Sequence, residues 1–280
     1  MQNLTLTWQT AGGTAVALFG AAFAVQRVRR SWAPPVGAVC REGGILLALF
    51  TLWQLVGHLS VMSTAHALDR ADWIHRTELG LGLPDEAAWQ RWVEPHGWLV
   101  SACNYFYASA HFGVMLVLLA WVFARRRGSY RWLRNTVVLT TAACLTVQFV
   151  PVAPPRMLPG NGFVDLAAEY GQSVYGGAVA GVVPDQLSAM PSVHVAWSVI
   201  VAVAVVRVAR TPWRWLAVLH PLVTVFVVVV TANHFWADGV VAVALLLIVY
   251  LVQYACSGWR QGRQEPAPEA VEEQAATPVH

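Results

Sequence analysis

Seven apolar runs divide this 280-residue chain, near 10–26, 44–62, 98–123, 135–152, 192–209, 215–232 and 237–255. Each approaches the roughly 20 residues that a helix needs to cross the hydrocarbon core of a bilayer. A segment in lipid has to satisfy its own backbone N–H and C=O groups, so runs of this kind can cross as helices. The expected fold is an all-α integral membrane bundle of six to seven transmembrane helices. Composition agrees: 57% of residues are hydrophobic and 12% charged, with a mean hydropathy of +0.51, far from a soluble domain of this size.

Charge orients the bundle. All 18 basic residues are arginine, which reads as codon usage in a GC-rich bacterium rather than as mechanism. Fourteen of them, from Arg27 to Arg263, flank one side of the runs, and four, Arg70, Arg76, Arg91 and Arg156, flank the other. The positive-inside rule places the larger set in the cytoplasm and the N-terminus outside, in a multi-pass protein of the cell membrane. Trp8, Trp98 and Trp236 then fall at outer ends, and Trp121, Trp132, Trp213, Trp215 and Trp259 at inner ones, as headgroup-level rings do.

A net charge of +3 sorted in this way gives no indication of nucleic acid. Cys40, Cys103, Cys144 and Cys256 are scattered without metal-ligand spacing, so neither a disulfide nor a zinc site is expected, and no cofactor is implied. The N-terminus lacks the basic region and cleavage site of a secretory signal, so the first span is expected to be retained. Three regions follow: 1–97 with N-terminal spans and an outer loop, 98–255 as the transmembrane core, and 256–280 as a polar, acidic, Pro/Ala-rich tail expected to be disordered and cytoplasmic. The loop 63–97 reads equally as an amphipathic surface helix or as a solvated connection.

With this topology three polar stretches meet at the outer face. "PVAPPRMLPG" sets Arg156 among prolines that forbid a helix; its fixed donors suit a phosphate of substrate or of a lipid headgroup alike. In "AMPSVHVAW", Pro191 suits a first helical position, and free N–H groups behind it make an anion site that His194 can reach. A lone histidine there also serves structure. In "TANHFWADGV", His234 and Asp238 stand four apart, so on a helix the carboxylate can orient the imidazole. A fourth set, Asn104, Tyr107 and His111, shares a helical face near the outer end of the third run, where it could grip substrate or bond between helices. His220 reads as structural.

In order, "APPR", "AMPSVH" and "NHFWAD" resemble the three motifs of the type 2 phosphatidic acid phosphatase superfamily, most closely its inositolphosphorylceramide-synthase-like (inositolphosphotransferase) branch, over roughly 98–255. The resemblance implies His234 as the nucleophile taking the phosphoryl group, Asp238 as its orienting partner, His194 as the acid protonating the leaving oxygen, and Arg156 as a phosphate ligand. The backbone around Ser192 and Val193 would cradle the phosphate.

The superfamily's broad pattern is KxxxxxxRP, PSGH and SRxxxxxHxxxD. Here Phe149 stands at the lysine, Met157 follows the arginine, Val193 replaces the glycine, and Val227 and Val228 replace Ser–Arg. Two cations are thus missing, a departure that fits the synthase-like branch better. Asn104, Tyr107, His111, Asp185, Gln186 and Asn233 are candidates to supply donors instead.

The chemistry has its own logic: a phosphate ester needs charge neutralised, a nucleophile in line and a proton for the leaving alkoxide. The expected function is a metal-independent phosphatase or phosphotransferase acting on a membrane lipid phosphate through a phosphohistidine. Water as acceptor makes it a hydrolase, and a polyol such as inositol or a sugar makes it a transferase. The alternative is a non-enzymatic lipid transporter or scaffold using the same polar residues.

Overall fold

The computed structural model describes residues 7–60, 66–172 and 187–262. Among them ten α-helices follow in order: α1 (Trp8–Val25), α2 (Ala33–Ser60), α3 (Ala67–Gly80), α4 (Glu86–Val93), α5 (Gly97–Arg125), α6 (Arg127–Val147), α7 (Leu166–Glu169), α8 (Val193–Val208), α9 (Leu219–Val230) and α10 (Trp236–Gly262). The described residues form no strand beyond an isolated parallel bridge between Val152 and Ser188.

Five stretches are helical, long and apolar enough to cross a membrane: α1, Ala33–Leu55 of α2, α5, Pro212–Val230 leading into and through α9, and Trp236–Cys256 of α10. These are the elements of a multi-pass membrane protein. The remaining two apolar runs are helical but less suited to spanning. The α8 helix has 16 residues, and α6 opens with Arg127, Arg131, Arg134 and Asn135. The fourth run was expected to reach 152, yet α6 stops at Val147, since Pro151 has no N–H to give the Val147 carbonyl and its ring would clash with it in a helix.

The loop 63–97 folds into two helices rather than one. Asp85 separates them, its carboxylate accepting the Ala87 N–H at 3.0 Å as the N-cap of α4. At the other end of the chain α10 continues through Gly262, into the region 256–280 expected to be a disordered tail; residues 263–280 lie outside the described residues.

The N-terminal hairpin packs α1 along α2. Gly44 lets them approach, since a Cβ there would lie 2.9 Å from the Phe19 ring. Buried Glu42 ties α2 to α6, accepting from Arg134 Nη1 at 2.8 Å and the Tyr130 hydroxyl at 3.1 Å.

Three apolar clusters make the core of the bundle. One joins Met115, Leu119 and Val122 of α5 to Leu133 of α6, Ile200 and Ala204 of α8 and Leu246 of α10. A second packs Val100, Cys103 and Tyr107 of α5 against Val195 and Val227–Val230. The third, Ala71, Ile74, Val152, Leu158, Ala189 and Phe235, binds α3 and the connecting segments over the end of the bundle. There the C-termini of α6 and α9 meet the N-termini of α8 and α10: Gln148 Nε2 donates to the Pro191 carbonyl (3.3 Å), and the Ser192 N–H to the Asp238 carbonyl (3.1 Å).

Candidate active site

His234 lies in the turn between α9 and α10. The Val228 carbonyl accepts the N–H groups of both Asn233 (3.0 Å) and His234 (3.1 Å), and Ala232 adopts a left-handed φ of +50°. A non-glycine residue holds that conformation at a cost, so the surrounding contacts must fix it. Val228, at a position where the family pattern has a cation, therefore serves the turn through its backbone. Phe149, at the lysine position, is 49% exposed and brings no charge.

The turn aims the His234 ring inward, where it is buried. Its Nδ1 lies 2.7 Å from the Ala189 carbonyl and 3.2 Å from Asp238 Oδ2; its Nε2 lies 3.4 Å from His194 Nδ1. Asp238 is fully buried in the first turn of α10 and also takes the Phe235 N–H on Oδ2 at 2.9 Å. A carboxylate is stabilised in such a place by the donors around it and by the positive end of the helix dipole.

His194 enters on α8. The helix begins at Val193, two residues later than a first helical position at Pro191, because the Ser192 hydroxyl caps it, accepting the Val195 N–H at 3.4 Å. The Ser192 N–H is committed to the Asp238 carbonyl, so it is not available to cradle a phosphate; the N–H groups of Val193 and His194 lie outside the intrahelical ladder. Tyr107 stacks on the His194 ring at 4.5 Å between centroids, and His111 meets it edge-on at 3.7 Å. Two of the three polar residues on that face of α5 thus join the histidine pair. Asn104 turns elsewhere: its Nδ2 donates to Gln172 Oε1 at 2.9 Å, toward α7.

Arg156 sits in the 3-10 turn Pro155–Met157, its backbone N–H on the Ala232 carbonyl at 3.0 Å. Its guanidinium is nearly buried, hydrogen-bonded through Nη1 to Asn233 Oδ1, and pairs through Nε with Asp165 Oδ2 at 3.5 Å. Asn233, next to His234, in turn donates to Thr231 Oγ1 at 2.8 Å. The structure therefore joins His234, Asp238, His194, Tyr107 and His111 directly and links Arg156 to them through Asn233. Asp185 and Gln186 lie outside the described residues.

Sequence reasoning missed the Ala189 carbonyl, which no side-chain motif can reveal, and Asp165, the counter-charge to Arg156. It also missed His75, Glu78 and Glu86 behind the N-terminus of α10. These three are buried, with one potential ligand atom from each within 4.8 Å of the others. Burial, the hydrogen bond to Glu86 and the charge of Glu86 push Glu78 up to about 9, so it holds its proton at neutral pH. The clefts along Asp69–Thr77 and between α1 and α2 share no residue with the histidine cluster.

A buried imidazole with its Nδ1 held, a second histidine on its Nε2, and an arginine fixed beside it suit phosphoryl transfer. The sequence profile of the PAP2 superfamily matches residues 72–252, well over half of the chain and every residue of this cluster. The chain belongs to the PAP2 superfamily. No curated protein and no solved structure matches it significantly. Members of the PAP2 superfamily are phosphatases, which makes phosphoric-ester hydrolysis of a lipid phosphate the activity that membership suggests.

Proposed function

We propose that this PAP2 protein transfers a phosphoryl group from a membrane lipid phosphate to His234 and then to water or a polyol. The observation that carries the reading is the His234 ring, held at Nδ1 by Ala189 and Asp238 with Nε2 turned to His194. A carbonyl oxygen accepts and cannot donate, so Nδ1 carries the proton and the lone pair is on Nε2.

In the first step Nε2 attacks phosphorus and the P–O bond to the lipid alkoxide breaks. Asp238 stabilises the positive charge that grows on the ring. Substrate exchanges the contact between the two histidines for one between His194 and the leaving oxygen, which receives a proton from His194. In the second step His194 takes a proton from the acceptor, whose oxygen attacks phosphorus and frees His234. Arg156 neutralises the phosphate oxygens, helped by the N-terminus of α8. Nucleophile, acid, orienting carboxylate and cation are all side chains, so the proposed route uses no metal.

The lost lysine and Ser–Arg positions favour a synthase-like enzyme, in which a phosphoryl-polyol group moves between lipids at the extracytoplasmic face of the cell membrane. A release assay on purified protein tests both levels. Inorganic phosphate from phosphatidic acid supports the phosphatase reading, and an inositol phosphomonoester formed when myo-inositol is added supports transfer to a polyol. Absence of both products from a panel of lipid phosphates, with the protein folded, contradicts the proposal.

A further inference from the structure

Helix α10 begins at Trp236, and the N–H groups at a helix start have no intrahelical acceptors. Here three of them find a carboxyl oxygen. The Phe235 N–H goes to Asp238 Oδ2 (2.9 Å), that of Trp236 to Glu86 Oε1 (3.4 Å), and that of Ala237 to Glu78 Oε1 (2.6 Å). The Trp236 indole adds a bond to the Pro84 carbonyl at 2.8 Å. Glu78 and Glu86 belong to α3 and α4, more than a hundred residues away in sequence, yet they are 3% and 0% exposed.

Two carboxyls in such a place are costly to bury unless they are bonded. Residues that merely covered the bundle end could be apolar, as their neighbours Ile74 and Ala87 are. The oxygen positions matter because the next residue, Asp238, shares its Oδ2 between the Phe235 N–H and His234 Nδ1. A shift of the first turn of α10 would carry the carboxylate with it and break its contact with His234.

We propose that Glu78 and Glu86 are positioning residues for phosphoryl transfer: they clamp the first turn of α10 and thereby hold Asp238 against His234. The inference rests on the function proposed above for its kinetic readout. Gln at position 78 keeps an oxygen for Ala237 and a donor for Glu86, whereas Ala removes both and Asp withdraws the oxygen by one methylene.

The test compares purified wild type, Glu78→Ala, Glu78→Asp, Glu78→Gln and Glu86→Ala, using phosphatidic acid hydrolysis and ¹⁵N-imidazole NMR of His234. Expected are a kcat reduced about 10–100-fold in the Ala and Asp variants with KM within about twofold, as small misplacements of catalytic groups cause. Glu78→Gln should recover most of the rate. In the NMR spectrum the His234 Nδ1–H resonance should keep its wild-type position in Glu78→Gln and shift in Glu78→Ala as the Asp238 contact is lost, with the Ala189 carbonyl still holding the tautomer, a readout that needs no turnover and so survives failure of the functional reading. Glu78→Asp serves if the Ala variants do not fold. A folded Ala or Asp variant with wild-type kcat and an unchanged His234 signal would overturn the proposal. So would one equivalent of tightly bound divalent metal in wild type that Glu78→Gln abolishes, since the cluster would then be a ligand set.

Discussion

The carbonyl of Ala189 lies 2.7 Å from Nδ1 of His234, closer than the Asp238 carboxylate at 3.2 Å. The tautomer of the proposed nucleophile is thus fixed by backbone as well as by the carboxylate four residues on. Asp238→Asn should keep Nδ1 protonated and lose mainly the stabilisation of charge on the ring. We predict a fall in kcat smaller than the about 10⁴-fold seen where losing a carboxylate also admits the wrong tautomer. Turnover measured with phosphatidic acid checks this, and a loss as complete as that of His234→Ala would show that Asp238 alone sets the tautomer.

His194 makes a prediction that depends on the leaving group. As acid to an alkoxide it should contribute about 10²–10⁴-fold with the natural lipid, and little with an activated ester such as p-nitrophenyl phosphate. His194→Ala should therefore discriminate sharply between the two substrates, while His234→Ala impairs both. Equal damage to both substrates would assign His194 to phosphate binding together with Tyr107 and His111.

The arginine distribution predicts which face carries the site. Gly160 is exposed, in the segment after Arg156, with a φ of +79°. A cysteine there should react with a membrane-impermeant maleimide in intact cells. Reaction solely after permeabilisation would put the site on the cytoplasmic face.

Glu78 ties stability to pH. Its folded pKa near 9 stands above an ordinary value of 4.5, with Glu86, His75 and Asp238 facing it. Between those values the folded protein binds a proton that the unfolded chain has released, so this contribution to stability falls as pH rises. Thermal unfolding from pH 5 to pH 9 should show that decline, and Glu78→Gln, which cannot ionise, should flatten it. An identical slope in the variant would contradict the assignment.

Much of this architecture was legible because lipid makes the rules strict: the runs at 98–123 and 237–255 had little choice but helix, and α5 and α10 occupy them. His234, Asp238 and His194 stood out as a candidate group because their spacing and order carry chemistry, and the structure brings their side chains together. What the sequence concealed depends on long-range placement. Glu78 and Glu86 sat in a loop that read equally as a surface helix or a solvated connection, and only folding brings them against Trp236 and Ala237. Ser192 looked like a phosphate cradle until the Asp238 carbonyl took its N–H. Asn104 has the helical spacing to join Tyr107 and His111, but spacing cannot say that Gln172 would draw its amide away.

The central claim is that His234 takes the phosphoryl group. A single turnover with phosphatidic acid labelled with ³²P in its phosphate, quenched in alkali where phosphohistidine survives, should leave label on the peptide containing His234. His234→Ala should carry no label and release no phosphate while remaining folded. Label on another residue, or phosphate release by His234→Ala within a few fold of wild type, would contradict the account.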